Sequence, residues 1–310
     1  MKGKELPVLI AGAIAALTAA GIGAGIYFYN SAISTTSSRE TPGNPEGNDD
    51  FPFYHDQKYF DENEREDVYM QSRDGLLLHG TAVIKDEKKW TILVHGYTSN
   101  AMHMSSFAAL FGELGFSVLA VDLRGHGESE GNYRGMGWHD SYDVCDWASL
   151  ITERYGAEDV ILFGLSMGAA TVMLASGHDL PDSVKGIIED CGYSSVKAEM
   201  KYNMKVRYHL PGFPLLNIVS GVTKKRAGYS LLTDGDAVAQ LKKTTIPMLF
   251  IHGEADRFVP FSMMEKVYRA AGGEKMKFTV PGAAHAMCFN DDPEGYRDAV
   301  YSFIYKYVRI

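Results

Sequence analysis

One serine stands between two glycines at a predicted turn from strand to helix. Residues Gly164–Gly168 read Gly-Leu-Ser-Met-Gly, with the apolar run Val160–Leu165 before the serine and the small-residue run Met167–Ser176 after it. Glycines on both sides let the backbone turn sharply and would hold the side chain at the end of the strand. A serine hydroxyl becomes a nucleophile when a neighbouring base removes its proton. The sequence therefore predicts a nucleophile elbow at Ser166.

A histidine near the end of the chain is the predicted base. His285 follows the apolar segment Met276–Val280 across a short loop of proline, glycine and alanine, which would let it fold back toward the serine. Imidazole changes its protonation near neutral pH, as a base that serves a serine must. His95 and His252 each stand in a His-Gly pair after an apolar run, and both are expected to shape their loops.

Two aspartates compete for the role of orienting the histidine. Asp256 lies in the loop after the predicted strand Ile246–Ile251, and Asp190 ends the preceding predicted strand, Val184–Asp190. A carboxylate in this role holds the imidazole in one tautomer and stabilises its charged form. We favour Asp256, because the loop after Gly253 leaves it free to reach inward, with Asp190 as the alternative. The catalytic order along the chain is then serine, aspartate, histidine.

An oxyanion that develops during acyl transfer needs backbone N–H donors beside the nucleophile. The residue after the serine, Met167, is expected to supply one of them. The loop after the predicted strand Trp90–His95 is expected to supply the other from the amide of Tyr97. The alternative for Tyr97 is a role as a wall of the substrate pocket only.

The elements that must position these residues alternate between strand and helix from Val68 onward. An opening hairpin is followed by short apolar runs and longer amphipathic segments, which predicts an α/β fold with a mostly parallel central sheet flanked by helices. Ligands of such sheets bind at the carboxyl ends of the strands, where all five predicted site residues fall.

A segment too long for an ordinary crossover separates two of the predicted strands, at about residues 191–243. It predicts a small helical cap. In its first helix, Tyr193–His209, apolar residues and lysines each recur every four positions: Val196, Met200 and Met204, and Lys197, Lys201 and Lys205. Such a helix is amphipathic. Its methionines could line an acyl pocket and its lysines meet anionic lipid, or the two faces could be ordinary core and ordinary solvated surface.

Charge and cysteine content exclude two classes of protein. The net charge is -9 and the isoelectric point about 5.6, which argues against nucleic acid as a partner, because phosphate binding needs a basic face. The three cysteines cannot form a disulfide framework.

Several of these segments together resemble the α/β-hydrolase superfamily, from about residue 68 to the C-terminus. They are the His-Gly pair at His95, the run Asp122–Ser129 (Asp-Leu-Arg-Gly-His-Gly-Glu-Ser), the elbow at Ser166, the Asp256 loop and His285. Within the superfamily the chain is similar to bacterial membrane-anchored hydrolases related to monoglyceride lipases and serine aminopeptidases. The resemblance implies hydrolysis of an ester, thioester or amide in a small-molecule acyl substrate, with no metal or organic cofactor. An acyltransferase with the same triad, or an inactive surface-binding protein of the same fold, are the alternatives.

The first thirty residues have a different composition. Pro7–Tyr29 holds no charged side chain, and as a helix it would be roughly 34 Å long, enough to cross a bilayer core of about 30 Å. Lys2 and Lys4 precede it, which predicts a single-pass anchor with the catalytic domain outside the cytoplasm. A cleaved signal peptide is the alternative. The predicted organisation is an anchor at 1–30, a flexible linker at 31–52 and a catalytic domain at 53–310.

Overall fold

A computed structural model describes residues 21–36 and 56–308 of the 310-residue chain. Its centre is an eight-stranded sheet with the order β1-β2-β4-β3-β5-β6-β7-β8. β2 runs antiparallel to both of its neighbours, and all other pairs are parallel. The predicted mostly parallel α/β sheet is therefore confirmed. The strands are β1 Glu66–Gln71, β2 Leu77–Val83, β3 Lys89–Val94, β4 Ser117–Val121, β5 Asp159–Leu165, β6 Val184–Asp190, β7 Met248–Gly253 and β8 Lys275–Val280.

Helices cover both faces of the sheet. After α1, which is helical over residues 21–32, they are α2 Lys58–Glu62, α3 Ser105–Glu113, α4 Trp138–Tyr155, α5 Met167–Ala175, α6 Val196–Val206, α7 Leu215–Ala227, α8 Ala237–Leu241, α9 Phe261–Ala270, α10 Cys288–Asp291 and α11 Pro293–Tyr307, with a short 3₁₀ helix at Ala101–Met104. Side chains of β3 alternate between two cores, since Ile92 and Val94 pack with α4, α5 and α9 whereas Leu93 packs with α3 and α11. The central strands are thus buried on both faces, which explains their continuous apolar runs.

The connection between β6 and β7 carries α6, α7 and α8, within the segment expected to form the cap. Ser195 begins α6 by accepting a hydrogen bond from the Ala198 amide at 3.1 Å. The proline at 214 precedes α7, and Gly228 ends it with a positive φ of 80°.

The described part of the N-terminal region packs on this domain. Tyr29 and Ile33 are buried, and a Cβ atom at Gly25 would lie 2.6 Å from the side chain of Ile218 in α7, so the close approach of the two helices requires glycine. Residue Ser34 forms an isolated bridge with Tyr133. Residues 31–36, expected to belong to a flexible linker, are therefore held against the domain, and the linker residues 37–52 lie outside the described residues.

Across residues 21–36 and 56–308, no helix combines the length and the apolar character needed to cross a membrane. Most of the predicted anchor, residues 1–20, lies outside the described residues, so the anchor stays a prediction.

Candidate active site

Three loops at the carboxyl ends of strands bring the predicted catalytic side chains together. Ser166 lies between β5 and α5, Asp256 follows β7, and His285 follows β8. The Ser166 Oγ lies 2.8 Å from the His285 Nε2, and the His285 Nδ1 lies 2.7 Å from the Asp256 Oδ2. With Nδ1 protonated and donating to the carboxylate, Nε2 is free to accept the serine proton.

The elbow depends on close packing around the serine. Ser166 has a φ of 57°, a conformation that costs energy for a residue with a side chain. A Cβ atom at Gly168 would lie 2.0 Å from the Val94 carbonyl oxygen, and one at Gly164 would lie 2.2 Å from that of Gly168. Both glycines are therefore required for helix α5 to approach strands β3 and β5, and this packing holds the serine at its tip.

Asp256 is held by four hydrogen-bonding contacts besides its burial. Its Oδ1 accepts from the amides of Phe258 and Val259, each at 2.8 Å, and its Oδ2 lies 3.2 Å from the His252 Nε2 and 2.7 Å from His285. Burial would raise the pKa of Asp256, but the charge of His285 and the hydrogen bonds from both histidines lower it below its usual value. The Asp256 carboxyl is therefore ionised at neutral pH, where it can stabilise a charged His285 imidazole.

The competing aspartate has different neighbours. The Asp190 Oδ2 accepts a hydrogen bond from the Tyr296 hydroxyl at 2.9 Å, and its Oδ1 has no hydrogen-bond partner among the described residues. Burial raises the pKa of Asp190 to about 6. Its backbone oxygen accepts from the Ser166 amide at 2.8 Å, so Asp190 supports the elbow through its main chain, and its side chain does not reach His285.

The two predicted oxyanion donors flank the serine. Met167 is the first residue of α5, where N–H groups have no acceptor within the helix. A Cβ atom at Gly96 would lie 3.5 Å from the Ser166 Cβ, so the chain leading into Tyr97 passes beside Ser166. The Tyr97 hydroxyl donates to the Ala32 carbonyl at 2.5 Å, and both residues also line the cavity that contains Ser166.

Two buried histidines fix the loop that contains Tyr97. The His95 Nδ1 donates to the Gly96 carbonyl at 2.7 Å while its Nε2 accepts from the Leu123 amide at 3.0 Å. Burial and the neighbouring His126 lower the pKa of His95 to about 3, which keeps this tautomer neutral. The His126 Nε2 lies 2.6 Å from the Tyr97 carbonyl oxygen. His95 therefore shapes its loop, as expected from its position.

The run Asp122–Ser129 supports the same loop. The Asp122 Oδ1 accepts from the Ala101 amide at 2.8 Å, and its Oδ2 accepts from the Glu128 amide at 3.0 Å. A Cβ atom at Gly127 would lie 2.2 Å from this carboxylate, so only glycine allows the turn to close around it. This motif acts as a scaffold that joins the loops after β3 and β4.

A cavity of about 200 Å³ opens onto Ser166 and His285, and its wall is mainly apolar. The residues that line it are Ala32, Gly96, Tyr97, Thr98, Ser99, His103, Met104, Met136, Leu165, Ser166, Met167, Tyr193, Glu199, Met200, Asn203, Arg207, Tyr208, Phe258, His285 and Ala286.

The expectation that the apolar face of the cap helix lines an acyl pocket is only partly right. Met200 lines the cavity, but Val196 packs at Gly235 and Met204 belongs to the core.

Sequence reasoning missed the polar residues that share the cavity. Glu199, Asn203 and Arg207 recur every four positions of the cap helix, a pattern as regular as that of the methionines. The Asn203 Nδ2 donates to the Glu199 Oε1 at 2.6 Å, and the Glu199 Oε2 has no hydrogen-bond partner among the described residues. Burial raises the pKa of Glu199 well above its usual value, and the nearby Asp256 adds to the rise.

Two other contributions to the site carried no sequence signal. The ring of Phe258 lies 4.8 Å from that of His285, and it follows Asp256 by only two positions. Ala32 reaches the cavity from the N-terminal segment, far away in the chain.

One group of side chains in the described ranges could geometrically hold a metal ion, and it consists of Cys191, Asp256 and His285. Asp256 and His285 already belong to the line of hydrogen bonds that ends at Ser166. Burial raises the pKa of the Cys191 thiol well above its usual value, and a protonated thiol is a poor metal ligand. The arrangement fits proton transfer better than metal binding.

Known proteins resemble this chain in sequence and in fold. The uncharacterized protein YqkD of Bacillus subtilis (strain 168) is 30% identical over 247 residues, covering 79% of this chain and 81% of that protein. Lysophosphatidylserine lipase ABHD12 of Danio rerio is 27% identical over 232 residues, covering 69% of this chain and 54% of that protein. The Pyrococcus furiosus esterase Pf2001 has the same fold, with a TM-score of 0.65 at 19% identity over 80% of this chain and 94% of the esterase chain.

The model of the serine aminopeptidase S33 family matches residues 85–212 and 216–292. These ranges contain Ser166, Asp256, His285 and most of the cap. The chain therefore belongs to this family and is an α/β hydrolase.

Proposed function

We propose that this hydrolase cleaves carboxylic esters through an acyl-enzyme intermediate on Ser166. The observation that carries the proposal is the continuous line of hydrogen bonds from Ser166 through His285 to Asp256, which faces an apolar cavity. The activities of two similar proteins, an esterase and a lysophosphatidylserine lipase, support an ester as the bond cleaved.

The geometry supports the following sequence of steps. The Ser166 Oγ attacks the acyl carbon while the His285 Nε2 takes its proton, and Asp256 stabilises the resulting imidazolium. The amides of Tyr97 and Met167 donate to the oxyanion. His285 then protonates the leaving alcohol, which departs and leaves the acyl group on Ser166. A water molecule attacks the acyl-enzyme with His285 again as base, and the carboxylic acid is released.

A fluorophosphonate reagent tests the nucleophile. It should label the wild-type protein at Ser166 and should not label Ser166→Ala, and both Ser166→Ala and His285→Ala should lose turnover of a short acyl ester while keeping their circular dichroism. Labelling of a folded Ser166→Ala protein at the wild-type rate would show that the nucleophile is another residue. Absence of labelling in the wild type would favour an inactive binding protein.

An acyltransferase would use the same residues with an alcohol or amine in place of water. Product analysis separates the two activities, since a hydrolase should release free acid even when an alcohol acceptor is added. Preferential transfer to the acceptor at low concentration would replace the hydrolase assignment.

We also propose that the uncharged stretch that begins at Pro7 anchors the chain in the cell membrane, with its last residues packed against α7 and the catalytic domain outside the cytoplasm. The support is the absence of charge over this stretch and the two lysines before it.

A further inference from the structure

The cap carries a charge opposite to that of the whole chain. Between residues 196 and 227 there are seven lysines and arginines and a single acid, Glu199, whereas the whole chain has a net charge of -9. Glu199 is buried, and six of the seven cations are exposed: Lys197, Lys201, Lys205, Lys224, Lys225 and Arg226. The outer surface of the cap is therefore basic and contains no exposed carboxylate between these positions.

Large apolar side chains are exposed on the same part of the molecule. The last residue of α6 and the connection to α7, together residues 206–214, are named here the cap apex. Within it Phe213 is 77% exposed, Tyr208 is 58% exposed and Val206 is also exposed. Exposed aromatic residues that cluster in this way mark an interaction surface more often than isolated ones do.

Contacts place cations and a further aromatic residue beside the cap apex. A Cβ atom at Gly212 would lie 3.5 Å from the Lys201 Cγ, so a lysine stem runs beside the residue that precedes Phe213. The ring of Tyr208 packs against Phe28 of α1 at 6.2 Å, and the adjacent Tyr27 is 67% exposed. The apolar and basic groups thus form one surface rather than scattered residues.

This surface adjoins the entrance to the active site. Tyr208 and the neighbouring Arg207 are both lining residues of the cavity that contains Ser166. The guanidinium of Arg207 lies 4.9 Å from the Phe258 ring, which packs on His285. A substrate that comes from a surface in contact with the cap apex would therefore enter the mainly apolar cavity directly and reach Ser166 there.

We propose that the cap apex docks on the surface of an anionic lipid bilayer, with Phe213 and Tyr208 in the interface and the surrounding lysines over the headgroups. Aromatic rings favour the boundary between water and hydrocarbon, and lysine stems cover apolar surface while their ammonium groups stay in water. Lysines near an anionic membrane surface add electrostatic attraction. An acidic protein would also attract the lysines, but it would need a pocket matched to Phe213, whereas lipid chains have no fixed shape to match.

The docking extends the proposed function, since it would present bilayer-dissolved acyl substrates to Ser166, but it can be measured without turnover. The full chain with Phe213→Trp is reconstituted in vesicles whose lipids carry brominated acyl chains, which quench nearby tryptophan. The three native tryptophans, Trp90, Trp138 and Trp147, are buried or half-buried, so the unsubstituted protein supplies the background. The matched control is Tyr305→Trp in α11, a position that is 61% exposed and outside the cap.

Vesicles rich in phosphatidylglycerol should quench Trp at position 213 several-fold more than Trp at position 305. This difference in quenching should become smaller at high salt, because mobile ions screen the attraction between the lysines and the anionic lipid. It should also become smaller when Lys201→Gln and Lys205→Gln are added to the Phe213→Trp variant. Equal quenching in anionic and zwitterionic vesicles would overturn the electrostatic assignment, and equal quenching at the two positions would overturn docking and favour an acidic protein as partner. Fluorophosphonate labelling, measured in parallel, reports separately on the proposed chemistry.

Discussion

Two aspartates at the carboxyl ends of neighbouring parallel strands, one in the strand β6 and one in the loop after β7, differ in what their side chains contact. Asp256 contacts His285 directly, whereas the Asp190 side chain accepts a hydrogen bond from Tyr296. We expect Asp256→Asn to lower kcat/KM for a short ester by about 10³- to 10⁴-fold, because an amide can hold the wrong imidazole tautomer. Asp190→Asn should lower it far less. A larger loss in Asp190→Asn than in Asp256→Asn, with both proteins folded, would reverse the assignment of the acid.

The buried carboxyl of Glu199 makes stability depend on pH. Its pKa is raised in the folded protein by burial and by Asp256, while an unfolded glutamate has a pKa of about 4.3. Below about pH 4 both states bind the proton and the raised pKa costs nothing. Above that pH the unfolded state releases the proton more readily, so stability falls as pH rises toward the folded pKa.

Glu199→Gln should therefore raise the melting temperature at pH 8 by a few degrees, and the gain should shrink toward pH 4. Thermal unfolding of both proteins across this range measures it, with Glu153→Gln on the exposed side of α4 as the control. A gain that is the same at every pH would mean that the carboxyl does not titrate as inferred.

At the scale of elements, two methionines of the cap helix α6 share one four-residue spacing in the sequence but have different surroundings in the structure. Met200 lines the cavity and Met204 belongs to the core. Met200→Ser should lower kcat/KM for octanoyl esters about tenfold more than for acetyl esters, because each buried CH₂ contributes about 0.8 kcal/mol. Met204→Ser should lower the free energy of unfolding by roughly 2–4 kcal/mol and leave the chain-length preference unchanged. Equal changes in preference for the two variants would place both side chains in the pocket.

At the scale of the whole molecule, the N-terminal region has two separable roles. The apolar stretch before residue 21 is proposed to anchor the chain, whereas residues 28–36 complete the catalytic domain: Ala32 lines the cavity, Tyr97 donates to its carbonyl, and Arg134 donates to the Ser34 carbonyl at 3.0 Å. Removing the residues before Gly21 should release the protein from the membrane, and removing residues 28–36 should damage the active site.

Three chain lengths distinguish these roles. The full chain should remain in the membrane fraction after a high-salt wash, and a chain that begins at Gly21 should leave it with ester turnover intact. A chain that begins at residue 37 should melt at a lower temperature and lose turnover, because the loop of Tyr97 loses a contact and the cavity loses a wall. Full-length protein found in the soluble fraction with its N-terminus intact would refute the anchor.

The sequence alone determined those features that depend on residues close together in the chain. The glycines around Ser166 and the apolar runs before each loop predict the elbow, the parallel sheet and the strand ends at which Asp256 and His285 fall, because backbone preference and hydrophobic periodicity act over a few residues. The interruption between β6 and β7 likewise predicted a cap.

The tertiary structure decided which of these residues meet. Asp190 ends β6 and Asp256 lies in the loop after β7, and only the path of that loop brings a carboxylate to His285. On α6 two sets of residues share the same four-residue spacing, and the rotation of the helix against the domain selected Glu199, Asn203 and Arg207 together with Met200 for the cavity. The contribution of Ala32, and the joining of Phe213 and the lysines into one surface beside the active site, depend on packing between segments far apart in sequence, for which no local pattern exists.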